Sequence, residues 1–84
     1  MLKIPFDTAK TLFSASPTCS IRHDWWDKEL RIGSVSVENN VIKLAENSVG
    51  GIVYNEDDKF YVKSDGSVVM KSQEDGDCVI KILQ

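Results

Sequence analysis

The sequence predicts a mainly β domain, an antiparallel meander of about six to seven short strands forming a small barrel or sandwich, with one short N-terminal α-helix. Three observations support this fold class. Apolar and polar residues alternate along most of the chain after Pro17. Turn signals such as Asn39-Asn40 and Asp65-Gly66 interrupt the alternation. The connections are also shorter than the crossover of about a dozen residues that parallel strands need.

The length of 84 residues corresponds to one small domain. Residues 1–17 are predicted to form a helical segment, and residues 18–84 the β-meander. Asp7 has the side chain of a helix N-cap, and Pro17 is expected to end the helix because it disfavours helical dihedrals in the residue before it. One stripe of apolar residues at helical spacing is predicted to be buried: Ala9, Leu12 and Phe13.

The first predicted strand places His23 on the same side as Cys19 and Ile21, and we expect a partly exposed histidine there. Its neighbour Asp24 points to the opposite face of an extended strand, so the two side chains are poorly placed to share a proton. No nucleophile motif such as G-x-S-x-G accompanies them. Catalysis by His23 is therefore not the favoured interpretation.

The stretch from Leu30 to Val37 changes its apolar face part of the way along. Leu30 and Ile32 share one side, whereas Val35 and Val37 share the other. An isolated glycine within a strand often marks a bulge or bend. We therefore expect such a feature near Gly33.

Composition and charge exclude several classes of protein. The hydrophobic fraction of 42% and charged fraction of 27% are those of an ordinary globular chain. The net charge is −3 and lysines and arginines are dispersed, so no basic stripe for direct nucleic-acid binding is expected. No apolar run approaches the ~20 residues of a membrane span. The N-terminus carries no secretory pattern, so we expect a cytoplasmic protein.

Cys19 and Cys78 stand far apart and outside any C-x-x-C motif. The favoured interpretation is two buried thiols that behave as small apolar side chains. A disulfide joining an early strand to the last one is the alternative, and redox chemistry is a further one. Zinc needs about four ligands, which these cysteines and the single histidine do not supply. No metal or other cofactor is predicted.

The most unusual stretch is 23–29, which holds both tryptophans, the histidine and three acids. Because Trp25 and Trp26 are consecutive, one of them is expected to face the core and the other solvent. An outward tryptophan among charges is typical of an anchor in a protein interface. The favoured interpretation is nevertheless that both indoles pack, one in the core and one against the N-terminal helix, and stacking of one of them on a base or sugar is the remaining alternative.

Two acidic clusters, 56–58 and 74–77, lie in predicted turns. Neither has the ligand spacing of a calcium-binding EF-hand loop, so we expect solvated turns. If both turns lie at the same end of the meander, they form an acidic rim, which steers basic partners towards the protein.

The segments Asn47–Val53 and Phe60–Val68 contain Gly50-Gly51 and Asp65-Gly66, each beside a predicted strand. This arrangement resembles the glycine-rich strand units of bacteriophage head and tail fibre proteins, over about a quarter of the chain. The resemblance implies a structural or assembly role, such as a virion accessory domain. That role predicts a stable homo-oligomer.

Together these observations predict a non-enzymatic protein-binding module of the inhibitor or immunity type, encoded by a phage or other mobile element. The expected partner is a larger protein with a basic or mixed-charge surface, and homo-oligomers are compatible with this interpretation. The first alternative is the structural component, and the second is a small metal-dependent enzyme that uses His23, Asp24 and the acidic turns. The residues predicted to contact the partner are Trp25, Trp26, Asp24, Asp27, Glu29, Glu56, Asp57 and Asp58.

Overall fold

The computed structural model describes residues 1–26, 29–45 and 52–83. These residues form eight β-strands, one α-helix and a single 3₁₀ turn at Asp24–Trp26. The predicted fold class is confirmed, since the protein is mainly β and the strands form one antiparallel sheet. The elements are β1 (Leu2–Ile4), α1 (Phe6–Phe13), β2 (Thr18–His23), β3 (Leu30–Glu38), β4 (Val41–Ala45), β5 (Ile52–Tyr54), β6 (Lys59–Val62), β7 (Val68–Ser72) and β8 (Gly76–Ile82).

The strand order in the sheet is β1-β6-β7-β8-β2-β3-β4-β5. Two meanders, β2 to β5 and β6 to β8, are joined where β2 pairs with β8. The prediction that consecutive strands pair is wrong for β5 and β6, because β5 is one edge of the sheet and β6 lies next to the other edge. A loop of four residues, 55–58, connects these two strands.

The sheet curls strongly, and this curl explains how so short a loop joins distant strands. Eight strands side by side would span about 34 Å in a flat sheet, whereas the molecule measures 29 × 29 × 28 Å. The Tyr54 hydroxyl on edge strand β5 donates a 2.9 Å hydrogen bond to the carbonyl oxygen of Gly76 on β8. These two strands are four places apart in the sheet order. The protein is therefore one curled sheet rather than the two stacked sheets of a sandwich.

Alternate residues of each strand face the inside of the curl, which is the core. Helix α1 contacts β3, β4 and β6, and its residues Ala9 and Phe13 are fully buried against that core. Burial of this apolar surface is the main stabilising contribution available to so small a domain. The buried apolar cluster consists of Ala9, Phe13, Cys19, Ile21, Trp26, Val35, Ile42, Leu44, Ile52, Tyr54, Phe60, Val68, Met70, Cys78 and Ile80.

The N-terminal segment differs from its prediction in three ways. Strand β1 precedes the helix and pairs with β6, although three residues are too few for a recognisable pattern. The helix begins at Phe6 with Pro5 as N-cap, so Asp7 lies in the first turn and forms an ion pair with Lys10 at 3.3 Å. Leu12 is 39% exposed, outside the buried stripe.

No helix in the described ranges is long and apolar enough to cross a membrane.

Of the bulge or bend predicted near Gly33, the bulge is absent. The pairing of β3 with β2 and with β4 runs without an inserted residue on either side of Gly33. Leu30 and Ile32 therefore point outwards and are 53% and 58% exposed, while Val35 is buried on the inner face. The apparent change of face is an apolar patch on the outside of the sheet, which sequence periodicity alone cannot distinguish from a bulge.

The two cysteines are free, buried thiols, as the favoured interpretation predicted. On the ladder between β2 and β8, Cys19 is opposite Ile82 and Cys78 is opposite His23. The cysteines are therefore separated by four strand residues, about 13 Å, whereas a disulfide needs Cα atoms within about 7 Å. Burial raises the pKa of both thiols, that of Cys78 to about 12.

Candidate functional site

Both acidic clusters lie at one end of the curled sheet, where they line a shared cleft. The start of β6 and the end of β7 are neighbours because Lys59 pairs with Lys71, and this pairing brings the loop 55–58 beside the turn 72–76. Asp24 joins them, since its Oδ2 accepts a 3.1 Å hydrogen bond from the main-chain N–H of Asp77. We call this group, together with Lys59 and Lys71 of the same cleft, the acidic end; its acids are Asp24, Glu56, Asp57, Asp58, Glu74, Asp75 and Asp77.

The acidic end concentrates the negative charge of the protein. It holds seven of the thirteen acids but only two of the ten lysines and arginines, Lys59 and Lys71, which line the same cleft. Its formal charge is therefore −5, and the remainder of the chain carries +2. A potential of this sign at one end attracts basic surfaces and weakens as ionic strength rises.

Local hydrogen bonds hold both loops of the acidic end in place. Asp58 Oδ2 accepts from the Asn55 N–H at 2.8 Å, and Asn55 Oδ1 accepts from the Asp57 N–H at 2.8 Å. In the other loop, Ser72 Oγ accepts from the N–H groups of Glu74 and Asp75. Such side-chain to backbone bonds are what shape polar turns. The loops are thus ordered by their own residues.

Trp25 stands beside the acidic end with its indole 57% exposed. Its main-chain N–H donates to His23 Nδ1 at 3.1 Å, and the two rings meet edge to face at 5.0 Å. The backbone of Gly76 lies against the indole so closely that a Cβ there would be 3.1 Å from Trp25 Nε1. The indole is therefore supported on one side and available to a partner on the other.

Trp26, which the sequence predicts as a contact residue, is 7% exposed and so offers little surface to a partner. Its ring packs between the His23 ring, at 5.4 Å, and the Arg31 guanidinium, 4.4 Å from the ring centroid. The expectation of one inward and one outward tryptophan is confirmed, and the interpretation that both indoles pack inside is wrong. A 3₁₀ turn, rather than an extended strand, separates the two side chains.

The structure brings together some of the other predicted contact residues. Asp24, Glu56, Asp57 and Asp58 belong to the acidic end. Glu29 is exposed, and the Arg31 guanidinium lies 3.5 Å from its carboxylate. Asp27 lies outside the described residues.

The contact prediction omitted three acids of the acidic end: Glu74, Asp75 and Asp77. The signal for including them is the Asp65-Gly66 turn, whose glycine has φ +88°. A hairpin closed by that turn places the residues before β6 and those after β7 at the same end.

His23 is fully buried, so the expectation of partial exposure is wrong. It lies on the inner face of β2, and both tryptophan rings pack against it. Burial lowers its pKa, while the carbonyl of Asp75 and the charges of Asp24, Asp75 and Asp77 act in the opposite direction. Nε2 finds no hydrogen-bond partner of good geometry among the described residues.

Within the described ranges, no group of three or more His, Cys, Asp or Glu side chains is arranged to hold a metal ion.

The lowered pKa of His23 predicts that acidification destabilises the protein. Below about pH 6.5 the unfolded chain binds the proton more readily than the folded chain does, so the free energy of unfolding falls as pH falls from 7 towards 5. One proton produces a slope of at most about 1.4 kcal/mol per pH unit. Urea unfolding at several pH values measures this slope.

His23→Asn is the control for this prediction, because the amide oxygen retains an acceptor for the Trp25 N–H. The variant is expected to be less stable than the wild type at pH 7 but to lose the slope between pH 7 and 5.5. The chain has one histidine, so no other side chain has an ordinary pKa in this window. An equal slope in both proteins would contradict the assignment.

Comparison of the chain with protein-family models, with curated protein sequences and with solved structures finds no match. Part of the segment that resembles phage fibre units, 47–51, lies outside the described residues. The interpretation of function therefore depends on the surface chemistry described above.

Proposed function

We propose that this protein is a non-enzymatic binding module that holds a larger partner protein through the acidic end, with Trp25 as the apolar anchor. The observation that carries the proposal is the supported indole of Trp25, a residue that is 57% exposed, beside the acidic end with its formal charge of −5. Tryptophan is over-represented among the residues that dominate binding energy. Surrounding charges contribute mainly to the rate of association and to the choice of partner.

The partner chemistry follows from this surface. A complementary protein presents lysines or arginines around a pocket that accepts an indole. The two acidic loops are ordered by internal hydrogen bonds, so little conformational entropy is lost when they bind. A small, preorganised surface of this kind suits an inhibitor or immunity-type protein that covers a site on a larger protein. Its cytoplasmic location and its origin in a phage or mobile element remain predictions.

The decisive variant is Trp25→Ala, with Leu12→Ala as its matched control. Leu12 is also exposed but lies on α1, outside the acidic end. Tagged wild type and both variants are used to capture partners from an extract of the source organism. The partner is the protein lost with Trp25→Ala and retained with Leu12→Ala. After purification of that partner, Trp25→Ala is expected to weaken its affinity by about 30-fold or more, the effect of losing an interface anchor.

The electrostatic part of the proposal has its own pair of variants. The carboxylates of Asp57 and Glu74 form no hydrogen bond or ion pair with the described part of the chain, so neutralising them should leave the fold intact. Asp57→Asn with Glu74→Gln is expected to slow association and reduce its salt dependence. Asp7→Asn with Glu38→Gln removes the same charge elsewhere and should do neither. Equal loss with both pairs, or full binding by Trp25→Ala, would refute the proposal.

A further inference from the structure

The outer face of β8, β2 and β3 has a chemistry opposite to that of the acidic end. Leu30 and Ile32 are more than half exposed there, and Leu83 is 37% exposed. Register places Arg22 between Val79 and Leu30, and Ser20 between Lys81 and Ile32. The positions of what we call the basic sheet face include no acid: Val79, Lys81, Leu83, Thr18, Ser20, Arg22, Leu30, Ile32 and Ser34.

The basic sheet face adjoins the acidic end on the same molecule. Arg22 on β2 pairs with Val79 on β8. Asp24 lies two residues after Arg22, Asp77 lies two residues before Val79, and a hydrogen bond joins these two acids. Two residues of strand correspond to about 7 Å. A negative and a positive surface therefore lie side by side, with the apolar pair Leu30 and Ile32 on the positive one.

We propose that two copies of this chain form a symmetric dimer in which each acidic end contacts the basic sheet face of the other copy. When a twofold axis passes between the acidic end and the basic sheet face, the acidic end of each copy meets the basic sheet face of the other. Twofold dimers are also the commonest oligomers. The acidic end carries −5, and the charged residues of the basic sheet face are Arg22 and Lys81, so the attraction operates in both halves of the contact. Leu30 and Ile32 then become covered, which adds apolar area to the contact.

The dimer goes beyond the proposed function, and it affects the binding of the larger partner. The dimer covers the acidic end, so a second copy and the larger partner compete for that surface. The partner then binds the monomer, and its apparent affinity falls as the concentration of the chain rises.

Charge reversal in two complementary variants tests the dimer. Arg22→Glu with Lys81→Glu reverses the basic sheet face, and Asp57→Lys with Glu74→Lys reverses charge at the acidic end. Each variant alone places like charges together and is expected to sediment as a monomer at concentrations where the wild type is dimeric. An equimolar mixture restores opposite charges in both halves of the contact, so a heterodimer is expected. Sedimentation velocity measures the loss of the dimer in each variant and its recovery in the mixture. The wild-type dimer is expected to be weaker at about 500 mM than at about 50 mM salt, because salt screens the attraction between charges.

Two further variants keep the test decisive if a double reversal perturbs folding. Ile32→Ser should weaken dimerisation at least 10-fold without lowering monomer stability, because the side chain is 58% exposed in the monomer. Lys43→Glu reverses a charge on β4, outside the basic sheet face, and should remain dimeric. A monomeric wild type at millimolar concentration, or a mixture that stays monomeric, would overturn the dimer. Neither result alters the Trp25→Ala capture experiment, so the two proposals fail separately.

Discussion

Replacing Phe13 by alanine is expected to lower the free energy of unfolding by about 3–5 kcal/mol. The side chain is fully buried, and it is one of the largest that the core contains. It lies on α1, the helix that packs against β3, β4 and β6, so its removal leaves a cavity between the helix and the sheet. A domain of this length has a total stability of roughly 4–13 kcal/mol. The variant therefore loses a large part of it.

Urea unfolding followed by far-ultraviolet circular dichroism measures this loss, and Leu12→Ala is the control on the same helix. Leu12 is 39% exposed, so its truncation is expected to cost less than about 1 kcal/mol. Similar losses for the two variants would show that the helix is not held by its inner face.

Gly76→Ala is expected to lower the free energy of unfolding by about 2–4 kcal/mol, from two separate causes. Gly76 has φ +75°, a left-handed conformation that costs an L-residue about 1–2 kcal/mol. A Cβ would also lie 3.1 Å from Trp25 Nε1 and 3.2 Å from His23 Cε1, so both rings must move. The same change therefore disturbs the contacts of Gly76 and His23 with the exposed indole of Trp25.

Gly66→Ala separates these two causes. Gly66 also has a positive φ, +88°, but a Cβ there meets nothing within 4 Å. This control is expected to cost only the backbone contribution of about 1–2 kcal/mol and to leave the fluorescence spectrum of the two tryptophans unchanged. Gly76→Ala should shift that spectrum as well as lower stability. Equal costs and equal spectra would contradict the close approach of Gly76 to Trp25.

The elements recovered from the sequence are those whose cause is local. The turn at Asn39 and Asn40 was predicted because asparagine tolerates positive φ, and these residues have φ of 51° and 60°. The alternation of Cys19, Ile21 and His23 identified the inner face of β2. Strand β1 was missed, because three residues have no period of their own and pair only once β6 is in place.

In the candidate site, too, the sequence predicts one part of the arrangement and packing decides the rest. Consecutive tryptophans imply one buried and one exposed indole, but only packing selects which of them is which. The Arg31 guanidinium and the His23 ring enclose Trp26, whereas the glycine at position 76 leaves room for Trp25 at the surface. Gly76 is far from both tryptophans in sequence, so no periodicity predicts the choice.

Local preferences were enough to predict a mainly β chain, its turns and its short helix, because each of these depends on residues close together in sequence, and composition alone determined the net negative charge. Tertiary structure decided the strand order, the curl of the sheet and the meeting of two acidic loops with Asp24 at one end. It also decided that Leu30 and Ile32 face outwards. These outcomes depend on contacts between distant strands, where burial of the whole core, rather than the preference of any segment, selects the arrangement.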